Sequence, residues 1–187
     1  MQPNYELGGL NDAVKSEVEA FARAARDFCA WANGPRADGK PAAETAARHV
    51  SALIAAACAM GWDEAEPADF LKPVNGTESV EATALRLPVR YYAEIFNNLV
   101  IPAEDPVVGD LVEDLADIYS DVSPGLNLFD SGRVKEAENH WRFWFAHHWG
   151  EHATSALRAL WSYLAGREGS DAAEVPPNKS LERTREG

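Results

Sequence analysis

Asp105 to Val122 reads DPVVGDLVEDLADIYSDV, and the spacing within it decides the fold class. Val108, Leu111, Leu115, Ile118 and Val122 recur every three or four residues, the period of a helix with one buried side. Asp105 before Pro106 is a helix-start signal, while Pro124 and Gly125 set an end or a kink. Between Glu104 and Asp121 there are seven acidic residues and no basic one. At about 100° per residue, Asp110, Asp114, Asp117 and Asp121 share a narrow arc set apart from the apolar one. The sequence thus predicts a helix with one apolar and one anionic face.

Outward from it, the same periodicity recurs. Val14, Val18, Phe21, Ala25, Phe28 and Ala32 predict a helix from Asp12 to Asn33, and Val50, Leu53, Ile54, Ala57 and Met60 a second from Pro41, closed by Gly61. The acid- and proline-bearing stretch from Trp62 to Thr77 reads as a surface loop with a short turn near Asp69 to Leu71. A third helix is expected from Pro88 to Asn98, with Tyr92, Ile95 and Phe96 inward. Arg133 to Ala165 carries one long helical pattern, with Gly150 as a point for a kink. No segment alternates with period two over strand length. These readings add up to an all-α protein, an antiparallel helical bundle of about five to six helices, in one domain over residues 1–166. The polar residues 167–187, with Pro176 and Pro177, read as a disordered tail.

Composition bounds the function. The 187 residues carry a net charge of −13 with 30 acidic and 17 basic residues, which argues against nucleic acid and anionic membranes and for cationic groups or basic proteins as partners. No apolar run reaches bilayer-spanning length, and the N-terminus lacks a basic stretch followed by an apolar one, so a cytoplasmic protein is expected. Cys29 and Cys58, both among alanines, read as core thiols.

Chemistry-bearing residues concentrate in two places. The first is the acidic stripe of Asp110, Asp114, Asp117 and Asp121. Like charges four apart disfavour a helix by a few tenths of a kcal/mol per pair, a cost that a metal ion, arginines such as Arg86, Arg90, Arg133 or Arg142, or a cationic partner removes. The second is His140 to His152, HWRFWFAHHWGEH, with four of the five histidines and three of the six tryptophans. His148 and His152, four apart on a helix, can present two nitrogens to one ion. Trp141, Trp144, His148 and Tyr92 can wall a small-molecule pocket.

Three resemblances add expectations. Glu113-Asp114-Leu115-Ala116-Asp117 resembles the second acidic motif of the all-α nucleoside triphosphate pyrophosphohydrolases, which hold Mg²⁺ between helical carboxylates. The paired-glutamate helix that precedes this motif has no counterpart here, because Glu78 and Glu81 are distant and cut off by Pro88, Pro102 and Pro106. His148-Trp149-Gly150-Glu151-His152 is similar to the H-x-x-E-H string of inverted zinc peptidases, without room downstream for their third ligand. From Phe21 to Leu164 the chain resembles a bacterial domain-of-unknown-function family, DUF5063, on the strings Asp114-Leu115-Ala116-Asp117-Ile118-Tyr119, Trp141-Arg142-Phe143 and His148-Trp149-Gly150-Glu151-His152. That resemblance implies an all-helical fold and no catalytic role. The last residues, Asn178 to Arg185, resemble a string found at the ends of unrelated bacterial proteins.

The leading expectation is a non-enzymatic binding or adaptor module, without catalytic residues or cofactor, that uses the acidic helix face and the Trp141, Trp144, His148 and His152 edge. One alternative is a metal-dependent hydrolase with ligands among Glu113, Asp114, Asp117, His148 and His152. The other is a small-molecule sensor with a Trp/His-lined pocket. The three part on one geometric point: metal ligands converge within a few ångströms, whereas a docking surface faces solvent.

Overall fold

The computed structural model of the chain describes residues 6–35, 37–62 and 77–167. Six α-helices occur there: α1 (Glu6–Ala32), α2 (Gly39–Met60), α3 (Glu78–Ala84), α4 (Leu111–Asp130), α5 (Val134–Trp144) and α6 (Gly150–Leu164), with a π-helical turn over Phe145–Trp149 between the last two. Two short strands, β1 (Tyr91–Glu94) and β2 (Val107–Asp110), form an antiparallel hairpin. The expected bundle is therefore present, with a small sheet added. The expected turn at Asp69 to Leu71 and the expected tail lie outside the described residues.

The apolar periodicity is what builds the core. Val18, Phe21, Ala25, Phe28 and Ala32 of α1 are buried, as are Val50, Leu53 and Ala57 of α2 and Leu111, Leu115, Ile118 and Val122 of α4. Trp141 and Trp149 are fully buried, with ring centroids 4.7 and 5.9 Å from Phe21. Burying rings of this size removes roughly 150–250 Å² apiece from water, so the two tryptophans anchor the centre. Contacts between α4 and α5 run antiparallel, Arg133 meeting Leu128 at the turn and His140 meeting Asp121 further along. Those between α4 and α6 also run antiparallel, His152 meeting Asp114 and His148 meeting Asp121 across the π turn.

Several expectations are corrected. In place of a helix from Pro88 to Asn98, residues Tyr91–Glu94 form β1, and the preceding helix is α3, seeded by Glu78 and Glu81 in its first turn. Paired aromatics favour an extended chain that lays alternate side chains on opposite faces, and Tyr92 uses this to reach α4. The fourth helix begins at Leu111 rather than at Pro106, because Val107–Asp110 pair with β1 and Asp110 caps the helix through the backbone N–H of Val112, 2.9 Å from its side chain. At its other end α4 runs through Pro124 to Asp130. Proline lacks the N–H that would bond the carbonyl four residues back. Here α5 lends the disturbed stretch donors of its own. The His140 Nε2–H donates to the Asp121 carbonyl at 2.7 Å and the Trp141 indole N–H to that of Val122 at 2.9 Å. Cys29 is partly covered, and burial pushes its thiol up to about 12. Cys58 is exposed: with Leu53, Ala57 and Met60 facing in, its place on α2 points outward, a phase that a run of alanines hides in the sequence.

Candidate metal centre

The site lies where α4 meets the π turn and α6. Asp114, Asp117 and Asp121 stand three and four residues apart and so share one face of α4. His148 sits in the π turn and His152 in the first turn of α6. A π turn inserts one residue into the helical register, and such turns gather at functional sites. Gly150 makes this one sterically feasible: a Cβ there would stand 2.2 Å from the Phe145 carbonyl oxygen. The imidazoles of His148 and His152 end edge to face, 4.8 Å between centroids.

Each imidazole is held by a carboxylate. Asp121 Oδ2 accepts from the Nδ1–H of His148 at 2.7 Å, and Asp114 Oδ1 from that of His152 at 2.9 Å. A carboxylate only accepts, so Nδ1 carries the hydrogen in both rings and Nε2 keeps the lone pair of the neutral imidazole. The Nε2 of His152 faces Asp117 Oδ2 at 3.5 Å. One potential donor atom from each of Asp117, His148 and His152 lies within 4.8 Å of the other two. Donors around a tetrahedral ion at about 2.1 Å are about 3.4 Å apart. The His152–Asp117 edge already has that length, and His148, its side chain 41% exposed, has room to close the rest.

Behind this trio stands a buried support. Asp114 is 4% exposed, and its second oxygen accepts from the Tyr92 hydroxyl at 2.5 Å. Burial, then the bond to Asp114, pushes the Tyr92 pKa up, so the phenol stays protonated and donates. Tyr92 reaches Asp114 by lying across Gly109, where a Cβ would be 2.4 Å from the ring. Glu94 and Ser155, which sequence reasoning missed, extend the support: Ser155 on α6 donates to Glu94 on β1. Nothing in the spacing of these two announces them, because strand and helix meet only in the fold. The bond to Asp114, first, and the nearby carboxylates of Asp117 and Glu151 raise the His152 pKa against the opposing effect of burial. Burial raises that of Asp121, against the bond from His148.

The other sequence-stated residues scatter. Asp110 lies off the cluster, capping α4 and paired with Arg90 at 3.1 Å. Glu113 is exposed and not among the convergent donors. Trp141 is core, hemmed in by Phe21 and Phe129. Trp144 borders the site, edge-on to His148 at 6.1 Å. Trp141 and Tyr92 thus face different surroundings rather than one pocket.

The molecule is thus a helical bundle with a His/Asp cluster on its α4–α6 seam. The chain belongs to the family described as domain of unknown function (DUF5063), whose pattern matches residues 12–166. Its fold is similar to that in the crystal structure of protein BF1032 from Bacteroides fragilis, with a TM-score of 0.57 and 20% identity over 84% of this chain and 96% of that one. No curated protein matches the chain significantly. None of the described helices is long and apolar enough to cross a membrane.

Proposed function

We propose that the protein binds a divalent first-row transition ion through Asp117, His148 and His152. The observation that carries this reading is the convergence of their donor atoms within 4.8 Å while both histidines are oriented by carboxylates. Metal-ligating histidines characteristically give their other ring N–H to a carboxylate or carbonyl, which fixes the tautomer and raises ligand basicity. Two imidazoles among three donors select Zn²⁺ or Fe²⁺ over Mg²⁺ or Ca²⁺, which prefer oxygen. A partner laid flat on the acidic stripe is less favoured, because Asp114 is buried and Asp121 is turned to His148.

Three protein donors leave coordination positions open, and an open position on Zn²⁺ holds a water whose pKa falls to about 7. This is the geometry that would serve the hydrolase reading, with Asp117, His148 and His152 as ligands and Asp114 as support. Its test is turnover lost on chelation and restored by Zn²⁺.

Thermal melts test binding itself. With Zn²⁺ at about 100 times its Kd the native state gains about 2.7 kcal/mol, which for a chain of this size raises Tm by about 5–10 °C. Mg²⁺ at the same concentration leaves Tm unchanged. An equal rise with both ions, or none with Zn²⁺, counts against the proposal.

The raised pKa of His152 sets the pH dependence. An ion needs the Nε2 lone pair, and the protonated ring has none, so protons compete with metal. As pH falls through the raised value, affinity drops by up to about tenfold per unit. In Asp114→Asn the largest cause of the rise is gone, so the pH at which binding fails moves downward. Titrations at a series of pH values read this shift, and an upward or absent shift refutes the role given to Asp114.

Gly109→Ala checks the support from behind. The added methyl displaces the Tyr92 ring, Asp114 loses its donor, and Zn²⁺ affinity falls by about tenfold, the lower end for outer-shell changes. Isothermal titration of the variant gives the number.

A further inference from the structure

Two surface features take no part in the His/Asp cluster, and they complement each other. From Phe96, through the arm between the strands, to Val108 in β2, every residue is exposed. Its apolar members stand far out: Phe96 is 62%, Leu99 88% and Ile101 92% exposed. A two-stranded hairpin is marginal in water without cover, and contiguous exposed apolar surface marks interaction sites. Glu104 and Asp105 follow after Pro102 and Ala103 on the same arm.

The second feature is a groove along α2 and α6. Two adjoining cavities of about 550 and 540 Å³ share Ser51 and run from Glu44 to Ile54 along α2. Ile54, Leu157 and Trp161 line one. Trp161 is 49% exposed and Arg167 lies over its ring at 4.2 Å. Arg158 lines the same cavity and Arg48 the other, and neither makes an ion pair among the described residues. Arg48 bonds only the Glu44 carbonyl and the Thr45 hydroxyl of its own helix, and in a chain of net charge −13 arginines without a carboxylate partner beside an apolar groove point to an acidic, apolar occupant.

We propose that the groove of one copy receives the hairpin arm of a second copy. Phe96, Leu99 and Ile101 then cover Ile54, Leu157 and Trp161, and Glu104 and Asp105 meet Arg158 and Arg48. Charge selects the place: two strongly acidic chains repel each other except where local charges are opposite. Reciprocal exchange of two arms closes a two-fold dimer.

Sedimentation equilibrium over a concentration series tests this. Wild type gives twice the 20.4 kDa of one chain. An arm variant, Leu99→Asp with Ile101→Asp, and a groove variant, Arg158→Glu with Trp161→Ala, each weaken association at least tenfold. All four positions are exposed, so circular dichroism stays that of the wild type. Mixed in equal amounts, the two variants recover association, because one keeps its groove and the other its arm. Glu104→Arg with Asp105→Arg, placed opposite Arg158→Glu, restores binding that either charge change alone removes. The mass of one chain at every concentration overturns the proposal, as does a dimer indifferent to both variants. A groove variant that acts while the arm variant does not, with the same effect from truncation after Arg167, assigns the groove to this chain's own C-terminal residues instead.

Discussion

Gly125→Ala lowers the melting temperature by about 10 °C, although alanine is the better helix former by about 1 kcal/mol. Gly125 lies inside α4 and is buried, and a Cβ there would stand 2.1 Å from the Trp141 indole nitrogen. Trp141 cannot retreat, because Phe21 and Phe129 flank it at 4.7 and 6.0 Å. Its N–H also loses the Val122 carbonyl. Overpacking costs about 1–3 kcal/mol and an unpaired buried N–H about 1–3 more. About 3–4 kcal/mol in total corresponds to a loss of about 10 °C at 2–4 °C per kcal/mol. The double variant with Trp141→Phe, which removes the colliding nitrogen, then costs less than the two single changes added together. Thermal melts of all four chains form the cycle. Additive losses, or a stabilised Gly125→Ala, contradict this account of how α4 passes Pro124.

The same residues show what a sequence gives up and what it withholds. The period of three and four through Phe21, Leu53, Leu115 and Leu160 is local information, and every one of these residues is buried. The continuation of α4 past Pro124 is not local, since His140 and Trp141 come from another helix to the Asp121 and Val122 carbonyls. The hairpin was illegible for a related reason. Tyr91–Glu94 and Val107–Asp110 are four residues each, too short to show a period of two, and become strands only by pairing across the intervening arm.

The site divides in the same way. Asp114, Asp117 and Asp121 on one arc, and His148 with His152, were visible as two separate groups. That they face one another was not, and neither was the part of Tyr92 behind Asp114. The arc of carboxylates lies only about 100° from the arc of Leu111, Leu115, Ile118 and Val122. A helix packed over that edge therefore covers the acidic face, and α6 does so. Asp110 shares the arc in angle and leaves the group because it ends a strand.

His152→Ala removes metal binding. Its Nε2 faces Asp117 at 3.5 Å and its ring stands 4.8 Å from His148, so it is the shared corner of the trio. Changing an outer partner such as Asp114 to Asn weakens binding by about 10–100-fold; loss of the ligand exceeds that. Without metal the same variant leaves Asp114 buried with the Tyr92 hydroxyl and without its imidazole, which lowers stability by about 1–3 kcal/mol. His147→Ala is the matched control. His147 is exposed and packs at a tilt against Phe143 rather than joining the cluster, so Zn²⁺ affinity stays that of the wild type. Equal losses from both changes would assign the effect to the π turn rather than to the ligand.

Equilibrium dialysis of the full chain against Zn²⁺, followed by elemental analysis, decides whether Asp117, His148 and His152 hold an ion. Wild type and His147→Ala retain one Zn²⁺ per chain, and His152→Ala, like Asp117→Ala with His148→Ala, retains none. Wild type that retains no Zn²⁺, or variants that retain as much as wild type, would contradict this.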